Sequence, residues 1–244
     1  MPNRRSVVAA MLALSAGETW AARPNLGSGE HSQQFEGSVR RKVRLPYLLW
    51  MPQPDQRPTA GWPLVIFLHG SGERGDDLAR VKANGPPKYA GAGRRFPFVL
   101  VAPQIPADEV WQSDALDALI SDLLSRLPVD ADRVLITGLS LGGIGTWRYA
   151  MDYPQRLAGI APVCGAGDPG GAARLVRLPI WAFHGARDDV VPLFTEQRVV
   201  DAVNALGGRA KFTVYPDIGH NAWDPAYADE ALYDWLLAQR RPGR

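Results

Sequence analysis

Residues 134–142 read Val-Leu-Ile-Thr-Gly-Leu-Ser-Leu-Gly, and this stretch decides the fold of the chain. Its first four residues are apolar or β-branched and predict a buried strand, while the residues after Gly142 can start a helix. Glycines stand two residues before and two residues after Ser140, where a larger side chain would collide with the neighbouring strand or helix. The pattern is typical of a tight strand-to-helix turn that exposes a serine hydroxyl. Ser140 is therefore the candidate nucleophile.

Predicted strands and helices alternate along the chain. The helical pattern is clearest over residues 114–127, where apolar residues recur at helical spacing. This alternation predicts an α/β fold with a mostly parallel, doubly wound sheet covered by helices on both faces. Ligands bind such sheets at the carboxyl ends of the strands. Apolar or β-branched runs predict strands at residues 43–51 (broken by Pro46), 64–68, 98–102, 133–137, 157–163, 180–183 and 211–215.

A serine hydroxyl is a poor nucleophile at neutral pH and needs a base, and the chain has only four histidines. His31 lies in a polar stretch near the N-terminus and is interpreted as a solvated loop residue. His69 and His184 each end an apolar run and precede a glycine, which favours a structural or turn-orienting role. His220 lies in a loop between the strand at 211–215 and the last predicted helix. It is the candidate base.

The acid that orients the base lies between nucleophile and base if the chain order is serine, acid, histidine. Asp188 meets this condition just after the predicted strand at 180–183, and its neighbour Asp189 meets it equally well. Either carboxylate, taken singly, could be a solvated turn residue. Three residues in this order, each just after a predicted strand, indicate a Ser-His-Asp triad. The order itself leaves the choice between the two carboxylates open.

Five short stretches resemble a known family. They are Leu-His-Gly-Ser-Gly-Glu-Arg-Gly at 68–75, Ala-Pro-Gln at 102–104, Gly-Leu-Ser-Leu-Gly-Gly at 138–143, the segment 181–192, and Gly-His at 219–220. On these motifs the chain, from about Val43 to its end, resembles the α/β-hydrolases, and among them small bacterial hydrolases without a lid that are described as predicted peptidases or prolyl-oligopeptidase-like. Those proteins are similar to poly(hydroxybutyrate) depolymerase-type and feruloyl-type esterases. The resemblance implies that the acid lies four residues after the histidine of the His-Gly pair, which is Asp188.

The negative charge that develops on a carbonyl oxygen during acyl transfer needs two backbone N–H donors. One comes from the residue after the nucleophile, which is Leu141, and the other from the loop after an earlier strand, at Ser71 or Gly72. The resemblance implies Ser71. Glu73 and Arg74, which follow in this loop, could contact a substrate or form an ion pair that stabilises the turn.

The connection at residues 164–179 is rich in Gly and Pro and too short for a helical lid, which predicts an open cleft. Trp223 and Trp111 are the candidate substrate contacts in this cleft. Trp223 is the better of the two because it lies three residues after His220. Trp147 could also line the cleft, but its position favours a packing role in a helix.

Composition limits the classes of protein that the chain could represent. Its 244 residues, with 46% hydrophobic and 21% charged, suit one globular domain. The net charge of +2 and the lack of a basic helix give no indication of nucleic-acid binding. The single cysteine, Cys164, excludes an internal disulfide and is interpreted as a small buried side chain. No cluster has metal-ligand spacing, so we expect no metal and no cofactor.

The N-terminus resembles a secretory signal. Arg4 and Arg5 precede an apolar stretch at residues 6–16, which is too short to span a bilayer. We interpret residues 1–22 as a signal peptide, 23–42 as a linker or early strand, and 43–244 as the catalytic domain. This interpretation places the mature protein in the periplasm or outside the cell. A cytoplasmic protein with a short N-terminal helix is the alternative.

Together these residues predict a serine hydrolase that cleaves carboxylic esters through an acyl-enzyme, with Ser140, Asp188 and His220 as the triad. The expected substrate is a small-molecule or carbohydrate-linked ester, with a short acyl chain or an aromatic group. Two alternatives remain at this stage: a serine peptidase that cleaves short peptides, and a non-catalytic module that binds carbohydrate or lipid on the same scaffold. Neither a nucleic-acid partner nor a membrane span is expected.

Overall fold

A computed structural model describes residue 37 and residues 41–243 of the chain. Seven strands form one sheet in the order β1-β3-β2-β4-β5-β6-β7. Only β1 runs antiparallel, paired with β3, and the other neighbouring strands are parallel. The strands are β1 (Tyr47–Trp50), β2 (Trp62–Leu68), β3 (Val99–Pro103), β4 (Val129–Leu139), β5 (Gly159–Val163), β6 (Trp181–Gly185) and β7 (Lys211–Tyr215).

Among the described residues, six α-helices cover the two faces of the sheet. They are α1 (Gly85–Gly91), α2 (Ser113–Arg126), α3 (Leu141–Asp152), α4 (Phe194–Ala205), α5 (Trp223–Ala228) and α6 (Glu230–Ala238). Successive residues of a strand point to opposite faces, so Leu64 and Ile66 belong to the core on the side of α2, α3 and α4, while Val65 and Phe67 belong to the core on the side of α1, α5 and α6. Every residue of β2 is buried, as expected for a strand covered on both sides. The predicted α/β fold with a mostly parallel, doubly wound sheet is confirmed.

Two strands differ from the prediction in length by more than two residues. The run 43–51 forms only the four-residue strand β1, which begins directly after Pro46, a residue without an N–H for the ladder. The strand predicted at 133–137 extends over β4 to 11 residues, because Val129 pairs with Trp62 across a bulge. The predicted helix at 114–127 is present as α2. The connection at 164–179 contains only a 3-10 helix, Pro169–Arg174, and no lid domain.

The compact unit of the chain begins at Lys42. The proposed signal peptide at 1–22 and nearly all of the predicted linker lie outside the described residues, and their interpretation stays a prediction. Within the described part of the chain, none of the helices combines the length and the apolar character needed to cross a bilayer.

Candidate active site

Ser140 lies at the junction between β4 and α3, in a strained backbone conformation. Its φ of 53° and ψ of −116° are rare for a residue with a side chain. The turn is held at both ends, because the Ser140 N–H donates to Val163 O at 3.0 Å and the Ser140 carbonyl accepts from the Ile144 N–H at 2.9 Å. The hydroxyl is thereby presented at the carboxyl edge of the sheet.

The two glycines around Ser140 are required by the packing of this turn. A Cβ on Gly142 would lie 1.9 Å from the carbonyl oxygen of Leu68, and one on Gly138 would lie 2.6 Å from the carbonyl oxygen of Gly142. Both contacts are with backbone, which cannot move aside without disrupting β2 or α3. The steric reason inferred from the sequence is therefore present in the structure.

His220 lies between Ser140 and Asp188 in one hydrogen-bonded chain. Its Nε2 is 2.9 Å from Ser140 Oγ, and its Nδ1 is 2.8 Å from Asp188 Oδ2. The His220 side chain is 18% exposed, whereas the Asp188 side chain is fully buried. Asp189 points to solvent instead. The structure thus brings together three of the predicted residues and places Asp188, rather than its neighbour, against the histidine.

The loops after β6 and β7 approach each other closely enough to fix His220. A Cβ on Gly185 would lie 2.1 Å from the carbonyl oxygen of Gly219, so only glycine fits at the end of β6. The backbone N–H of Arg187 donates to Ile218 O at 2.9 Å. These contacts tie the loop that holds Asp188, the candidate acid, to the loop that holds His220, the candidate base.

Ser71 and Leu141 lie at the start of two helical segments that face the same edge of the sheet. Leu141 is the first residue of α3, and Ser71 begins the 3-10 helix Ser71–Glu73 after β2. The first N–H groups of a helix have no partner within the helix and carry partial positive charge. Both backbone donors can therefore bind a developing oxyanion.

His69 orients the peptide that carries the Ser71 N–H. The Ile105 N–H donates to His69 Nε2 at 3.3 Å, so the ring proton lies on Nδ1, which donates to the Gly70 carbonyl oxygen at 2.6 Å. Burial lowers the pKa of His69, which keeps the ring neutral. The Gly70 C=O and the Ser71 N–H belong to the same trans peptide and point in opposite directions. The hydrogen bond from His69 to this carbonyl therefore makes the Ser71 N–H point away from the His69 ring. Orienting this peptide is a structural role of the kind that the sequence predicted for His69.

The three tryptophans of the predicted cleft take different positions. Trp223 is half-buried, and its ring lies edge to face against His220 with the centroids 5.3 Å apart. Trp111 is only 2% exposed, because its ring packs against His69 and its Nε1 donates to the His69 carbonyl. Trp111 nevertheless lines a small depression beside Leu141, and its contact with substrate stays a prediction. Trp147 is fully buried and packs in the core, as its position in a helix indicated.

Glu73 and Arg74 do not pair with each other. The Glu73 side chain is buried and accepts a hydrogen bond from Asn84 Nδ2 at 2.7 Å. Arg74 instead donates to the carbonyl oxygens of Ser71 and Glu109, at 3.1 and 3.2 Å. The ion pair between Glu73 and Arg74, one of the two alternatives, is therefore not formed, and a substrate contact stays a prediction. Arg74 ties the Ser71 loop to the loop after β3.

Two depressions flank the exposed side of α3, and neither is lined by Ser140, Asp188 or His220. The smaller, of about 90 Å³, is apolar apart from one guanidinium, and the larger, of about 460 Å³, extends along α3 toward the connection after β5. Ile144 and Arg148 line both. The smaller one is lined by Val110, Trp111, Leu141, Ile144, Gly145 and Arg148. A further depression, of about 430 Å³, is lined by residues such as Pro154 and Arg241, and it too includes none of the three triad candidates.

Cys164 completes a possible metal-ligand group with the acid and the base. Its Sγ and ligand atoms of Asp188 and His220 lie within 4.8 Å of one another. The carboxylate and the imidazole are already hydrogen-bonded to each other, and burial raises the pKa of the Cys164 thiol, which opposes the thiolate form that metals bind. Cys164 is buried, as the sequence indicated.

Comparison with known proteins shows the family to which the chain belongs. The sequence model of the phospholipase/carboxylesterase family matches residues 83–229, a segment that contains Ser140, Asp188 and His220. The chain belongs to the phospholipase/carboxylesterase family. It is therefore a hydrolase of the α/β-hydrolase superfamily, and the resemblance inferred from the sequence motifs is confirmed.

Relatives of this phospholipase/carboxylesterase family member carry hydrolase names. A protein of Methylorubrum extorquens named "Putative carboxymethylenebutenolidase" is 27% identical over 97% of this chain and 91% of its own length. A protein of the same name from Salmonella typhimurium is 30% identical, and the match covers 47% of each chain. The crystal structure of a thermostable esterase superposes with a TM-score of 0.69 and 33% identity, over 82% of this chain and 60% of the esterase.

Proposed function

We propose that the protein is a serine carboxylesterase that cleaves esters of short acyl groups through a covalent acyl-enzyme. The observation that supports this most directly is the hydrogen-bonded chain from Ser140 Oγ through His220 to Asp188, with contacts of 2.9 and 2.8 Å. The strained elbow that presents Ser140, and the family to which the chain belongs, support it further. Fold alone would not choose a reaction.

In this proposal Ser140 Oγ attacks the ester carbonyl carbon while His220 Nε2 takes the hydroxyl proton. Asp188 accepts a hydrogen bond from His220 Nδ1–H, which keeps Nε2 free to act as the base and stabilises the imidazolium that forms. The N–H groups of Ser71 and Leu141 bind the oxyanion of the tetrahedral intermediate. His220 returns the proton to the leaving alcohol. Water then attacks the acyl-enzyme by the same steps and releases the acid.

The depression of about 90 Å³ beside Leu141 is the proposed acyl site. Its volume suits a short chain, and no lid domain covers it with further apolar surface. Each methylene contributes about 0.8 kcal/mol only where it is removed from water, so chains that extend beyond this site gain little. The half-buried ring of Trp223 beside His220 offers a stacking surface for a sugar or an aromatic group on the alcohol side.

We expect kcat/KM to be highest for nitrophenyl esters with acyl chains of about two to four carbons and to fall beyond about eight, because longer chains find no further surface to bury. The measurement is kcat/KM across the series from acetate to laurate, with feruloyl esters and short peptides assayed in parallel. A maximum at decanoate or longer would contradict the short acyl site. Cleavage of the peptides but not of any ester would favour the peptidase alternative.

A further inference from the structure

A cluster of fully buried polar side chains lies directly behind Asp188. Glu196, in the first turn of α4, accepts a hydrogen bond from Trp147 Nε1 on Oε1 at 2.7 Å, and its Oε2 lies 2.7 Å from His184 Nδ1. The backbone N–H of Gly165 is a further partner of this carboxylate. Glu196 and His184 are both 0% exposed. Burying a carboxylate and an imidazole is costly unless both are fully hydrogen-bonded. The reaction steps proposed above give this cluster no role.

The second ring nitrogen of His184 faces the acid of the triad. His184 Nε2 lies 2.8 Å from the carbonyl oxygen of Val191 and 3.2 Å from Asp188 Oδ2. A carbonyl oxygen can only accept, so Nε2 carries a proton and is a donor toward both groups. Burial lowers the pKa of His184, but the hydrogen bond and the charge of Glu196, together with Val191 and Asp188, outweigh burial, and the pKa is raised. Glu196 thus holds the ring by Nδ1 and directs the Nε2–H toward Asp188.

With this donor the Asp188 carboxylate has partners on both oxygens. Oδ1 accepts from the backbone N–H groups of Val190 and Val191, at 2.9 and 2.8 Å. Oδ2 accepts from His220 at 2.8 Å and lies 3.2 Å from His184 Nε2. Val191 contacts both residues, because its N–H donates to the Asp188 carboxylate and its carbonyl oxygen accepts from His184. The two histidines therefore converge on the same carboxylate oxygen, one from the active site and one from the core.

We propose that His184 is a positioning residue for the reaction: its Nε2–H, oriented by Glu196, fixes Asp188 Oδ2 at the place where it holds the imidazole of His220. This inference rests on the proposed function, in which Asp188 is the acid of the triad. His184 acts through Asp188 and touches neither Ser140 nor the substrate. The expected consequence of its loss is a lower kcat with little change in KM, because the Asp188–His220 contact matters most when the imidazolium forms.

Replacing His184 by glutamine or by asparagine, whose amides differ in reach, distinguishes this positioning role from a purely structural one. The amide of His184→Gln can reach the place of Nε2 and donate toward Asp188, whereas the shorter amide of His184→Asn reaches only the place of Nδ1 and keeps the contact with Glu196. We expect His184→Asn to lower kcat by about 10- to 100-fold, the usual effect of losing an outer-shell partner, and His184→Gln to lower it by less than about fivefold. A structural role for the Glu196–His184 pair predicts the opposite ranking.

A double-mutant cycle tests whether His184 acts through the acid. In the Asp188→Asn background, we expect the further change His184→Asn to lower kcat by less than about threefold, because the carboxylate that His184 positions is gone. The kinetics are measured with nitrophenyl acetate. Thr137→Val is the control for loss of a buried hydrogen bond, since Thr137 is fully buried in β4 and bonds Ala161 O and Tyr227 rather than the triad. We expect it to lower the melting temperature and leave kcat unchanged.

The outcomes separate the two proposals. Equal losses from His184→Asn in both backgrounds, or a kcat for folded His184→Asn within threefold of wild type, would overturn the positioning role. If Asp188→Asn itself had no effect on kcat, the assignment of Asp188 as the acid would fail instead. Where His184→Asn does not fold, Glu196→Gln takes its place: its amide can still donate to His184 Nδ1 and accept from Trp147, so kcat is expected to stay within about threefold. A folded Glu196→Gln with a larger loss would overturn the proposal.

Discussion

Ser140→Ala is expected to lower kcat for nitrophenyl acetate by about 10⁴-fold or more, while the protein stays folded. The hydroxyl is the atom that attacks in the proposed reaction, and no neighbouring side chain can replace it. Alanine is smaller than serine and keeps the backbone contacts of the turn, namely the bonds to Val163 and from Ile144. The measurement is steady-state kinetics together with the melting temperature of both proteins.

Ser125→Ala is the matched control for this change. Ser125 lies in α2 and its hydroxyl bonds only the Asp122 carbonyl, so its loss is expected to leave kcat unchanged. A folded Ser140→Ala protein with kcat near that of wild type would remove Ser140 as the nucleophile, whatever the other variants show.

Asp188→Asn is expected to lower kcat on the order of 10⁴-fold, whereas Asp189→Asn is expected to lower it less than about tenfold. The backbone N–H groups of Val190 and Val191 require an oxygen at Oδ1, so the amide nitrogen of the variant must take the place of Oδ2. A donor then faces His220 Nδ1, which forces the ring proton onto Nε2. His220 can no longer accept the proton of Ser140.

The two aspartates serve as controls for each other, because they are adjacent and the substitutions are chemically identical. Asp189 is exposed, and replacing its carboxylate changes only the surface charge near the site. Measuring kcat for both variants on the same ester decides between them. The reverse ranking would move the acid to Asp189 and would contradict the contact of Asp188 with His220.

The elements that carry the site could be predicted because their signals are local. Gly138 and Gly142 mark the elbow within five residues of sequence, and the contacts that a Cβ would make there explain why the signal is so specific. The apolar runs of β2, β4 and β6 are long enough to predict buried parallel strands. Ser140 follows β4, and His220 follows β7 at the same edge of the sheet, so the sheet brings together two residues that lie 80 positions apart in the chain.

What could not be predicted depends on contacts between distant segments. Glu196 stands in the first turn of a helix, where an acidic residue is usually explained by the helix dipole, and nothing local shows that it faces His184. Trp111 follows β3, and nothing local shows that the missing side chain of Gly145 makes room for its ring beside α3. In both cases the deciding partner lies more than ten residues away in sequence, on another element.

The central claim is that Ser140 is a nucleophile activated by His220. It is tested most directly by reacting the wild-type protein with an alkyl fluorophosphonate, which forms a stable adduct with activated serines, and locating the adduct by mass spectrometry. We expect one adduct per chain, on Ser140, with esterase activity lost in proportion to labelling, and no adduct on Ser140 in the His220→Ala variant. An adduct on a different serine, or full loss of activity while Ser140 stays unmodified, would contradict it.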